Sequence, residues 1–260
     1  MSSDIWTPEE LSSKAAALAA RSWRIVEAQH QASTMKVTDT LPEQDILERL
    51  IDETKPPIPP GCEALHFLLM TPFRYSAQNP NGSRFRRPNA ADGVFYAAEH
   101  PVTAIAEMAF YRLLFFAESP GISWPRNPGE YTAFAVEIAT DRAVDLITSP
   151  FIDHVPLYDL VDYSASQAVA DRARQAAIEV IKYMSVRDPE KRPNLAILSP
   201  KAFARHEPVD RQSWKLHLDS NGVRAICEAP HISIAFDRDA FRADPRVKDF
   251  DWSREAVSPR

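Results

Sequence analysis

The sequence predicts an α+β fold of mixed, mostly antiparallel sheets with flanking helices. Strand-like and helix-like segments interleave along the chain. Asn221-Gly222 sits between two alternating runs, 214–220 and 223–229, the pattern of a hairpin closed by a type I′ turn. The glycine-rich loops of doubly wound nucleotide folds are missing from a chain with 6 glycines and 22 prolines.

Each element follows from local signals. Thr7-Pro8-Glu9-Glu10 offers a capping box with proline at the first helical position. Leu11, Ala15, Leu18, Ala19 and Ile25 follow at helical spacing, so the first segment reads as helix. Residues 33–41 read as a break. A second helix is predicted over 43–54, with Ile46, Leu47, Leu50 and Ile51 as its apolar stripe. The proline run at 55–61 stops it, because proline lacks the N–H and restricts its predecessor. Residues 1–60 are therefore expected to be a helical extension, 61–240 the main domain, and 241–260 a charged, peripheral tail.

The main domain is expected to begin with strand-like stretches at 65–70 and at Phe73-Arg74-Tyr75, followed by a polar loop over 77–92. Residues 93–98 read as a buried strand. Pro101 opens a helix whose apolar face is Val102, Ile105, Ala106, Ala109, Phe110 and Leu113. A loop over 117–130 leads to a strand at 131–138 and a short one at 144–147. Ser164-Ala165-Ser166-Gln167 reads as a second capping box, opening a helix that runs to about Lys182. Residues 194–198 form a strand, and 232–236 add a third strand to the hairpin.

Composition narrows the function classes. With 45% hydrophobic and 25% charged residues in 260, the chain is long enough and apolar enough to bury a core. A net charge of −6 argues against a nucleic-acid binder, which usually carries a basic face. The short basic clusters (Arg84, Arg86, Arg87; Arg187, Lys191, Arg192) suit one small anion better. Two cysteines outside any CxxC pair, and seven histidines without ligand spacing, predict no metal site. No apolar run approaches the roughly 20 residues that span a bilayer, and no leader pattern opens the chain, so the cytosol is the expected compartment.

Four segments concentrate residues able to carry chemistry: Phe73-Arg74-Tyr75; Gly82-Ser83-Arg84-Phe85; the run from Gly93 to Glu107, GVFYAAEHPVTAIAE; and Ser185-Val186-Arg187-Asp188. Taken singly, each has an ordinary reading. Glu107 passes as a solvated helix carboxylate, Arg74 as a surface or ion-paired guanidinium, Tyr96 as a core aromatic and Ser185 as a turn residue. Taken together, in this order and wording, they resemble the RES domain, a bacterial family named for its arginine, glutamate and serine.

That resemblance implies an ADP-ribosyltransferase-like fold with NAD⁺ as substrate in a cleft between strands. It implies a toxin paired with an Xre-type antitoxin that covers the active site. Family members break NAD⁺ down by hydrolysis or phosphorolysis, or transfer ADP-ribose to a protein such as the synthetase that makes phosphoribosyl pyrophosphate. Carried over by position, Arg74, Glu107 and Ser185 match the family's three residues, and Tyr75, Arg84 and Tyr96 match further pocket positions. The chemistry suits these types: a carboxylate stabilises cationic character on the ribose, guanidinium holds pyrophosphate, and an aromatic packs on nicotinamide. Ser185 is expected to bond the carboxamide or ribose. A catalytically inactive interaction module is the competing class.

Overall fold

The computed structural model describes residues 6–28, 37–75 and 81–253. Its described helices and strands form the predicted α+β architecture with a mostly antiparallel sheet. In chain order these are α1 (Pro8–Ser13), β1 (Ala16–Glu27), α2 (Leu41–Glu53), α3 (Phe67–Arg74), β2 (Phe95–Ala98), α4 (Pro101–Ala117) and β3 (Gly129–Asp145). There follow α5 (Ser164–Gln175), β4 (Val180–Met184), β5 (Pro193–Ile197), β6 (Asp210–Asp219), β7 (Gly222–Cys227) and β8 (Ile232–Asp237). Among them no helix is long and apolar enough to cross a membrane.

The sheet order is β1-β2-β5-β4-β3-β6-β7-β8. β1 also pairs with β3, from Ala16↔Ala143 to Glu27↔Tyr131, so the first five strands of that order return on themselves. β3 and β4 run parallel; every other pairing is antiparallel. α4 packs across the β1–β2 side of this ring, and its buried face forms one core with the β6–β8 extension.

The capping box at Thr7 forms as predicted, but α1 stops at Ser13 and the segment expected to continue it is β1. Alanine-rich sequence favours helix weakly, and tertiary pairing overrides such a preference. Here Trp23 and Ile25, two apart, bury one face of a strand paired along its whole length. The expected helical extension over 1–60 thus contributes a strand to the central sheet. Its second helix is found as α2, capped by Thr40 and Glu43 and with no residue buried. Of the break at 33–41, residues 33–36 lie outside the described residues, as do 77–80 of the expected loop.

Three further segments differ from expectation. Residues 67–74 are helix rather than strand, because Leu69, Met70 and Phe73 share one helical face and bury it. The two strands expected at 131–147 are one long strand, β3. The helix from Ser164 ends at Gln175, with Ala177 left-handed (φ 53°), and Val180–Met184 is strand β4. The second capping box does not form; Gln167 instead donates to the carbonyls of Ser83 and Arg86, at 3.1 and 3.2 Å, and ties α5 to the loop before β2.

The predicted hairpin is present as β6–β7 and extends through β8. Its two-residue loop is Ser220-Asn221, and only Gly222 takes a positive φ, of 135°. A Cβ at Gly222 would lie 2.2 Å from the Phe236 carbonyl oxygen, so close strand approach demands the glycine. The tail is not peripheral through 253: Phe241 and Val247 are buried in the main core, and Phe250 and Trp252 pack on Trp124. Residues 254–260 lie outside the described part.

Candidate active site

α4 presents Glu107 at the rim of its buried face. Pro101 starts the helix, and Ile105, Ala106, Ala109 and Phe110 anchor it in the core. Glu107, two turns in, lines a cavity of about 610 Å³.

Ser185 follows β4 and is fully buried. Its hydroxyl donates to Glu107 Oε1 at 2.6 Å and accepts the backbone N–H groups of Arg187 (3.2 Å) and Asp188 (3.0 Å). A hydroxyl has one proton and two lone pairs, so this one is saturated by the protein. The turn is fastened to α4 by Asp188, which accepts from Thr103 at 2.6 Å and binds Arg192 at 2.9 Å.

Asn194 on β5 is the partner that sequence reasoning missed. Its Nδ2 donates to the same Oε1 of Glu107 at 2.8 Å. Both bonds fall on one carboxylate oxygen; Oε2 has no donor among the described residues. Asn194 is brought there by register, facing Tyr183 on β4 and Ala98 on β2. Strand residues opposite each other in different ladders leave no local signal in sequence.

Tyr96 lines the cavity with its ring, while its hydroxyl bonds Ser83 Oγ (2.8 Å) and accepts the Phe85 N–H (2.9 Å). Burial pushes this phenol above its ordinary range. Tyr75 also lines the cavity. Arg84 is buried beside it, donating to the carbonyls of Leu157 and Asp159 at 2.9 and 2.8 Å and lying over the Tyr163 ring.

Arg74 departs from expectation. It closes α3, and its Nε donates to the Pro56 carbonyl; its side chain is not part of the cavity wall. Glu107 and Ser185 are therefore brought together, and Arg74 is not. The cation on that side is Arg24 of β1, which donates to the Tyr96 carbonyl at 2.9 Å and lies over Phe95. Burial pushes its pKa down to about 10. An arginine inside the run Ser22-Trp23-Arg24-Ile25 was the available signal, hidden by reading the segment as helix.

Arg86 and Arg187 complete the cationic wall. Among the described lining residues, Glu107 is the one carboxylate against the guanidiniums of Arg24, Arg84, Arg86 and Arg187. Burial would raise the phenol of Tyr163, yet Arg84, Arg187 and Arg246 outweigh it and hold this phenol below its usual value. Burial and the nearby Tyr163 and Glu107 push Tyr111 up. The cavity thus favours negative charge over most of its wall and positive charge at one point.

The RES domain model matches residues 58–219, a stretch that holds Glu107, Ser185 and Asn194. No curated protein matches the sequence significantly. Among solved structures, the crystal structure of the M. tuberculosis MbcT–MbcA toxin–antitoxin complex contains a similar chain. It is 13% identical with a TM-score of 0.45, over 80% of this chain and 92% of that chain. The family match spans more than half of the sequence, and the chain belongs to the RES domain family.

Proposed function

We propose that this chain is the toxin of a bacterial toxin–antitoxin pair and that it consumes NAD⁺ by breaking the nicotinamide–ribose bond, with water or phosphate as acceptor. One observation carries the reading. A carboxylate, pinned through Oε1 by Ser185 and Asn194, faces a cavity whose other charged lining residues, among those described, are all arginines.

NAD⁺ asks for that distribution. Its pyrophosphate is anionic, and guanidinium meets phosphate with fixed, paired donors. As the bond to nicotinamide breaks, the ribose gains oxocarbenium-like positive charge, which a carboxylate stabilises. Glu107 takes that role through its free Oε2. Arg24, Arg84 and Arg86 supply the cations for the phosphates, and Tyr96 and Tyr75 offer faces for the nicotinamide ring. Ser185 orients Glu107 rather than touching the ligand, since its one proton is already given to the carboxylate. The partner in this reading is an Xre-type antitoxin covering the cavity.

Transfer of ADP-ribose to a protein is the second reading, and one observation favours it. α2 buries none of its residues and exposes Ile46, Leu50 and Ile51 together, an apolar stripe available to a protein target. A binding module without chemistry is less well supported, because it has no use for a buried hydroxyl and amide trained on one carboxylate oxygen.

The test is incubation of the purified chain with NAD⁺ labelled in the adenosine, with and without phosphate and cell lysate. Free ADP-ribose or its phosphate establishes breakdown, and a labelled protein band establishes transfer. NAD⁺ that stays intact in all of these mixtures overturns the enzymatic reading.

A further inference from the structure

Asn194 is 3% exposed and lines the cavity. Its Nδ2 is committed to Glu107 Oε1 at 2.8 Å. The opposite rotamer of the amide would set its oxygen against the carboxylate, so chemistry fixes which end faces Glu107. The other end, Oδ1, is buried and has no hydrogen-bond partner among the described residues. A buried amide oxygen is ordinarily bonded. The backbone cannot shift to find a partner, because β5 is paired on both sides at this residue, with Ala98 and Tyr183. Ser185 cannot supply the donor either, since its proton goes to Glu107.

Two acceptors therefore lack a donor among the described residues, Asn194 Oδ1 and Glu107 Oε2, on side chains already joined by a hydrogen bond. Acceptors with no donor of their own on two joined side chains fit a ligand that brings two donors on neighbouring atoms. We propose that Asn194 is a specificity-determining residue whose Oδ1 accepts a hydrogen bond from a ribose hydroxyl, next to the one held by Glu107. This rests on the NAD⁺ reading above. The vicinal diol of the ribose nearest nicotinamide supplies both donors, and the contact selects ribose over deoxyribose at that position.

The experiment is calorimetric titration of the full chain with ADP-ribose, with its two analogues lacking one or the other hydroxyl of the terminal ribose, and with nicotinamide alone. Wild type and Asn194→Ala are compared, with thermal melts to establish folding. Wild type is expected to prefer ADP-ribose over one analogue by about ten-fold or more, the scale of a single neutral hydrogen bond. Asn194→Ala is expected to lose that preference. Equal preference in wild type and a folded Asn194→Ala overturns the assignment while leaving the NAD⁺ reading intact. Weaker nicotinamide binding in Asn194→Ala, with the ribose preference unchanged, overturns it in favour of an amide contact. Failure of wild type to bind any of the three adenosine ligands overturns the NAD⁺ reading itself.

Discussion

Asp244 and Arg187 form a salt bridge of 2.6 Å with side chains 1% and 3% exposed. The arginine lies in the cavity wall, stacked 3.9 Å over Phe110 of α4, and the aspartate belongs to the segment after β8. Asp244 also binds Arg246 at 2.9 Å, and both arginines donate to the Leu160 carbonyl. The segment after β8 lies beyond the stretch matched by the RES model, yet it fixes one wall of the cavity.

Removing Asp244 leaves Arg187 buried without its counter-charge. Breaking one partner of a sealed ion pair costs about 3–5 kcal/mol, far more than a surface pair is worth. Asp244→Ala is expected to lower unfolding free energy in urea by that amount, and Arg205→Ala, whose pair with Glu137 is exposed, by under about 1 kcal/mol. Equal effects of the two substitutions would refute a structural role for the tail.

Acid should erase that difference. Burial raises the Asp244 carboxyl, but bonds from Arg246 and the charge of Arg187 hold it below the usual carboxylate range. A folded-state pKa below the unfolded value means that the unfolded chain binds the extra proton. The contribution is complete above the unfolded pKa, about 3.9, and is lost as pH falls through the folded value. The stability gap between wild type and Asp244→Asn is therefore expected to be widest near neutrality and to close progressively below about pH 4. A gap that widens in acid contradicts the sign of this linkage. Asp159 and Asp219 are depressed as well, so an acid slope persists in the variant.

Ser185→Ala separates orientation from direct contact. The substitution removes the donor to Glu107 Oε1 and the acceptor for two backbone N–H groups. If the serine acts by holding the carboxylate, kcat for NAD⁺ loss falls about 10²-fold while KM is little changed. A rise in KM with kcat preserved would instead place the hydroxyl on the ligand.

Glu107→Gln keeps the shape of the side chain and removes its charge. NAD⁺ consumption is expected to fall about 10²–10³-fold, with the thermal melt close to wild type. Turnover at the wild-type rate would remove Glu107 from the chemistry.

Much of this site was legible because its signals are local. Proline at the first position, an apolar face and a glutamate two turns on are enough to place Glu107 on α4 from the amino-acid sequence alone. The hairpin and its glycine were likewise readable. Asn194 was not, because its meeting with Glu107 depends on the register of β4, β5 and β2. Asp244 was hidden for a similar reason: a charged tail looks peripheral until Phe241 and Val247 bury it. β1 failed on propensity, since alanine-rich sequence reads as helix when the strand that pairs with it lies more than a hundred residues away.

That misreading bears on which arginine meets the ligand. The arginine expected from the sequence resemblance to take that role is Arg74, but its guanidinium serves the Pro56 carbonyl at the end of α3. Arg24 of β1 stands in the cavity wall, held by the Tyr96 carbonyl and the Phe95 ring. A cation that is partly desolvated before binding forms a stronger bond to phosphate than one in water. Arg24→Gln is therefore expected to raise KM for NAD⁺ by about ten-fold or more, the scale of one charge-assisted hydrogen bond. Arg24→Lys, which keeps the charge and loses the paired donors, should fall between wild type and Arg24→Gln. Arg74→Gln should leave KM unchanged and act on stability alone, through the contact with Pro56. Steady-state kinetics on the three variants decide the matter: a KM raised by Arg74→Gln and untouched by Arg24→Gln would return the anion-binding role to Arg74.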